Sequence, residues 1–95
     1  MRAGAYLRPV PEISRFFGIV ISMYYDDHLP PHFHAHHAGQ EAAVTIASVD
    51  VIAGNLSPRA LGLVREWASA HRGELMGDWE LARAWRPLVP IEPLG

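Results

Sequence analysis

Apolar positions follow two different periods along this chain, and the change between them falls near Ser57. From Ile13 to Tyr25 the residues Phe16, Phe17, Ile19, Val20, Ile21, Met23, Tyr24 and Tyr25 form a β-rich run. This predicts a central strand, with Gly18 marking a bend or bulge. Asp26 to Pro31 reads as a loop, because its two prolines restrict both themselves and Leu29 before them. The stretch His32–His37 is predicted to be extended. Ala38-Gly39-Gln40 then turns the chain into Glu41 to Ala47, where Ala43, Val44 and Ile46 alternate imperfectly, giving a hairpin with the histidine strand. Ser48-Val49-Asp50 leads into a short strand Val51-Ile52-Ala53, closed by Gly54-Asn55.

After Asn55 the period becomes helical. Ser57 is a good N-cap and Pro58 suits the first helical position. Leu61, Val64, Trp67, Ala68 and His71 recur on one face, predicting a helix to about Arg72 that stops at Gly73. A second helix would carry Leu75, Met76, Trp79 and Ala82 and end before Pro87, leaving Pro87 to Gly95 as an extended tail along the sheet. Strands followed by helices describe an α+β domain: an antiparallel meander of about four strands with two helices packed on one face. Residues 11–95 are expected to form this single domain, and residues 1–10, ending near Pro9-Val10-Pro11, an extended lead-in.

Composition narrows the function more than the fold. With 95 residues, 49% of them hydrophobic and 19% charged, the chain has the make-up of one small globular domain. It has no cysteine, which removes disulfides, thiolate nucleophiles and cysteine-based zinc sites, and is compatible with a cytoplasmic location. The net charge of −2 and the absence of lysine weigh against bulk electrostatic binding of nucleic acid. No apolar run approaches the roughly 18 residues of a membrane span, and no signal-like segment opens the chain.

The candidate chemistry lies in the histidines. Five of the six fall in the window His28-Leu-Pro-Pro-His32-Phe-His34-Ala-His36-His37, with Glu41 close behind. On a strand, His32, His34 and His36 would share one side. Three imidazoles there are candidate ligands for a divalent transition metal such as zinc, with Asp26, Asp27, His28 or Glu41 completing the set. His34 is also a candidate catalytic general base in its own right. The alternative is a cluster bonded to Asp26 and Asp27 for structure or partner contact alone. The register of one strand decides whether these side chains lie under the helices or on the open face. Trp67 and Trp79 fall at core spacing, whereas Trp85 does not and, if exposed, would mark a contact with a partner or a second copy.

The segment from Pro11 to Ala35, with its motif Tyr25-Asp-Asp-His-Leu-Pro-Pro-His-Phe-His-Ala35, resembles the opening of the bacterial family Domain of Unknown Function 4160. So do the stretch from Arg59 through Glu66-Trp67 to Asp78-Trp79-Glu80-Leu81 and the ending Pro90-Ile-Glu-Pro-Leu94. The extension before Pro11 and Trp85 depart from the pattern. The resemblance implies a small α+β protein whose gene often neighbours one of the Domain of Unknown Function 2442 family, in an arrangement like a toxin–antitoxin pair. The leading expectation is therefore a cytoplasmic protein-interaction module with a small cognate partner, or a second copy as a homodimer, meeting its sheet. The rival is a small metal-dependent hydrolase or ribonuclease built on His32, His34 and His36.

Overall fold

A computed structural model describes residues 11–95; the expected lead-in, residues 1–10, lies outside the described residues. Five strands, β1 (Glu12–Phe16), β2 (Ile19–Ser22), β3 (His32–His37), β4 (Gln40–Thr45) and β5 (Val51–Gly54), form one antiparallel sheet in sequence order. Two helices follow, α1 (Pro58–Ala70) and α2 (Arg72–Arg83). The α+β class and the meander are as expected, but the strand count is five, not four. The run from Ile13 to Tyr25 is no single central strand. Phe17 and Gly18 both have positive φ (50° and 77°), the signature of a two-residue type I′ turn, and they fold the run into the β1–β2 hairpin. Ala38 and Gly39 repeat the device between β3 and β4 (51° and 80°). The histidine strand β3 thereby becomes the middle of the sheet.

The pairing fixes which side chains share a face. Ile21 lies opposite Ala35, Ala35 opposite Ala42, and Phe33 opposite Val44, and all of these are buried. The helices cover this side: the Trp67 ring lies 5.3 Å from Phe16 and 6.0 Å from Phe33. Trp67 also donates its indole N–H to the Glu92 carbonyl at 2.8 Å, which holds the tail against the core. The tail runs beside β1, where the Ile91 amide donates to the Ile13 carbonyl at 2.8 Å. One sheet edge is therefore partly covered, whereas β5, with Ile52 47% exposed, is the other edge.

Ser57 caps α1 through its hydroxyl, which accepts from the Ala60 amide at 3.2 Å. The helices part at His71, earlier than the expected stop at Gly73, which instead lies in the first turn of α2. No helix among the described residues is long and apolar enough to cross a membrane.

Candidate metal centre

Adjacent residues on β3 point to opposite faces, so Phe33 and Ala35 point into the core while His32, His34 and His36 take the opposite side. The same register puts Ser22 opposite His34 and Glu41 opposite His36 on that second face. The loop from Tyr24 to Pro31 folds over the strand's start, and the Asp26 amide ties it to α2 by donating to the Ala82 carbonyl at 3.2 Å. His32 is consequently buried although it lies on the face away from the core, with Trp79 of α2 5.5 Å from its ring.

Asp27 is the point of convergence. Its Oδ2 lies 3.0 Å from His32 Nε2 and 3.3 Å from His34 Nε2, and its Oδ1 accepts the His28 amide at 2.8 Å. The far nitrogens of both rings are held as well: His32 Nδ1 is 2.7 Å from the Pro30 carbonyl and His34 Nδ1 is 2.9 Å from Glu41 Oε2. A carbonyl oxygen can only accept, so His32 Nδ1 carries the proton. Without a second proton, the ring would present a lone pair at Nε2 directly to a carboxylate oxygen. Two lone pairs 3.0 Å apart repel, so a cation, either a proton or a metal ion, belongs between them. His34 repeats the arrangement with a carboxylate in place of the carbonyl. Imidazoles that donate through one nitrogen to a carbonyl or carboxylate and converge through the other are the usual form of histidine metal ligands. One donor atom from each of Asp27, His32 and His34 lies within 4.8 Å of the others, as a shared ion requires.

The field at the site follows from these neighbours. Burial pushes the Asp27 carboxyl up, but the His28 amide, the bond from His34 and the charges of His32 and His28 outweigh it and hold the group below the ordinary carboxylate range. The Tyr24 ring packs against that of His34, with centroids 4.3 Å apart and planes tilted by 45°. Burial, then the charges of Glu41 and Asp27, push the Tyr24 phenol up, so it stays protonated and able to donate.

The remaining candidates are distributed unevenly. His28 lies on the outer side of Asp27, its Nδ1 2.9 Å from Oδ1 and its side chain 85% exposed. His36 stands apart from the convergent set, 3.8 Å from Glu41 and with Nε2 3.5 Å from the Ser22 hydroxyl. Asp26 serves the loop through its backbone, and its side chain has no place among the three converging donors. His37 points to the other face, next to Gly18. His71 bonds Glu74 at the helix junction, away from the sheet site. Trp67 and Trp79 are core residues, as their spacing predicts, and Trp85 is exposed and stacked 5.2 Å from Tyr25. Ser22, Tyr24 and Trp79 also border the site, although their sequence positions mark them only as strand and core residues. Their signal was the parity of Ser22 and Tyr24 with the histidine face, legible only once the β2–β3 register is known.

A depression of about 230 Å³ lined by His34, Glu41, Ala43, Ala53 and Gly54 opens beside the cluster. Gly54 makes that wall. Its φ is +74°, and a Cβ there would lie 2.0 Å from the Glu41 carbonyl oxygen, so only glycine lets β5 approach the backbone of the residue that holds His34.

Comparison with protein families finds that the family described as "Domain of unknown function (DUF4160)" matches residues 18–80. Among curated proteins and solved structures, none matches the chain.

Proposed function

The chain belongs to the DUF4160 family, and we propose that it binds a divalent transition metal such as zinc through Asp27, His32 and His34 and uses it as a small hydrolase. The observation that carries this reading is the convergence of two imidazole Nε2 atoms on one Asp27 oxygen, with both Nδ1 atoms already engaged. Three protein ligands leave a position for water, and a bound zinc lowers the pKa of such a water to about 7. Tyr24, kept protonated against His34, supplies a donor for charge developing on a substrate oxygen. His28, exposed and with its Nδ1 2.9 Å from Asp27 Oδ1, would serve there as a proton-exchanging group. The acidic charge balance favours a small ester or phosphoester over long RNA. Zinc-loaded protein should hydrolyse p-nitrophenyl acetate or bis-p-nitrophenyl phosphate, lose the activity on chelation, and lose it in His34→Ala with the fold kept. Equal turnover by His34→Ala, or turnover indifferent to metal, would refute the hydrolase.

The open β5 edge supports a second reading, in which the protein also works by association. The partner would be a small cognate protein of the Domain of Unknown Function 2442 family, in a cytoplasmic toxin–antitoxin-like pair, or a second copy forming a homodimer. Ile52→Lys should abolish co-purification with such a partner while leaving metal binding intact; association that survives the substitution would rule out this edge.

A further inference from the structure

Away from the histidine face, α2 and the tail enclose a groove of about 400 Å³ lined by Glu74, Gly77, Asp78, Leu81 and the tail residues Val89 to Ile91. Its lining is mostly apolar, and its volume falls in the range of small-ligand sites. Within it stands a group that an apolar groove does not need. Asp78 is 1% exposed; its Oδ1 accepts the Val89 amide at 2.8 Å, and its Oδ2 is buried with no hydrogen-bond partner. A buried, unpartnered carboxylate oxygen costs free energy, and such groups call for an explanation. The second acid of the groove, Glu74, stands one helical turn earlier, so the polar groups of the lining are both acidic. Gly77 adjoins Asp78 in the helix, and a Cβ there would meet nothing within 4 Å, which leaves the groove open at that point.

We propose that this groove is a binding site for a small organic cation, an ammonium or guanidinium group on an aliphatic stem, with the cation paired to Asp78 and the stem lying on Leu81, Val89 and Ile91. The charge of the lining selects the cation. Asp78 and Glu74 offer no donor of their own when ionised, so an anionic ligand would meet repulsion and a neutral one would leave Oδ2 without a charged partner. The apolar walls select the stem, since a bare ammonium ion would gain nothing from them.

The burial that raises Asp78 above the ordinary carboxylate range would also shield a bound cation from water, and an ion pair is stronger when shielded in this way. Occupation would additionally brace the tail, because the carboxyl that takes the ligand also holds Val89.

The test is a titration of the full chain with n-hexylammonium and agmatine as probes, with hexan-1-ol as the neutral analogue, followed by calorimetry and by NMR shifts of α2 amides. One-to-one binding of a cation is expected, at least about ten-fold tighter than the alcohol. Asp78→Asn keeps a carbonyl oxygen for the Val89 amide and removes the charge, so it should erase the preference for the cation. Because that change can still loosen the tail, Gly77→Leu provides a second variant that fills the groove without touching Asp78 and should abolish binding of all three probes. Equal binding of alcohol and cation, binding unchanged in either variant, or no binding of either cation would overturn the proposal.

Discussion

At the scale of single residues, the histidines differ by what their second nitrogen does. His32 and His34 each have one ring nitrogen engaged and the other facing Asp27, whereas His36 has only long contacts to Ser22 and Glu41. Glu41 therefore matters through His34: it fixes the tautomer and the ring orientation and raises the basicity of Nε2. Glu41→Ala should leave the core intact, since the residue is exposed, yet weaken metal affinity about 10- to 100-fold. Zinc affinity unchanged in that variant would show that Glu41 does not position the ligand.

Asp78 gives a residue-scale prediction of the opposite kind. Burial pushes its carboxyl above the ordinary range, with the charge of Glu74 adding to it and the Val89 amide opposing it. In the unfolded chain the group ionises in the ordinary range. Between the two values the folded chain holds a proton that the unfolded chain has lost, so stability falls as pH rises through that window. Asp78→Asn has no such titration. Its melting temperature should decline less than that of the parent protein between pH 4 and pH 7; parallel declines would mean that Asp78 is not strained by burial.

At the scale of elements, the strands are set by their turns. The two hairpins beside the site use the residue pairs Phe17-Gly18 and Ala38-Gly39, both with positive φ throughout. The second pair is legible in the sequence as a break between two alternating runs. The first is hidden, because Phe17 belongs to the β-forming residues and offers none of the Asn or Asp chemistry that advertises such a turn. Thirteen residues from Ile13 to Tyr25 are long for one strand, and that excess was the available clue. The helices were easier, since Ser57-Pro58 supplies a local start signal. Their division at His71 was not legible to the residue, because Gly73 looked like the natural stop.

Gly54 links this scale to the site. In Gly54→Ala the new methyl would collide with the Glu41 carbonyl at a backbone φ that alanine rarely adopts, and a rigid neighbouring strand cannot yield cheaply. We expect a loss of about 2–4 kcal/mol, read as a fall in melting temperature of roughly 10 °C or more, together with weaker metal binding as Glu41 shifts. A variant as stable as the parent would mean that β5 does not press on β4 at this point.

At the scale of the whole molecule, the sheet separates two kinds of chemistry. One face carries Ile21, Phe33, Ala35, Ala42 and Val44 under Trp67, and the other carries Ser22, His32, His34, His36 and Glu41. The composition of β3 encodes both at once, apolar and histidine residues in strict alternation from His32 to His36, so the shared face of His32, His34 and His36 could be read from sequence spacing. The convergence on Asp27 rather than Asp26 could not. It depends on how the loop to Pro31 closes over the strand and on the tie of Asp26 to Ala82, neither of which leaves a local pattern. Likewise the burial of His32 arises from Trp79, distant in sequence and brought near only by the packing of α2.

Whether Asp27, His32 and His34 share a metal ion is decided by calorimetric titration of the untagged, metal-stripped protein with zinc, alongside the His32→Ala/His34→Ala variant. One-to-one binding, micromolar or tighter, is expected, and it should be lost in the double variant while the circular dichroism stays native. Absence of binding to the parent protein, or binding equal in both, would contradict a shared metal ion and leave protons as the cations that hold the cluster together.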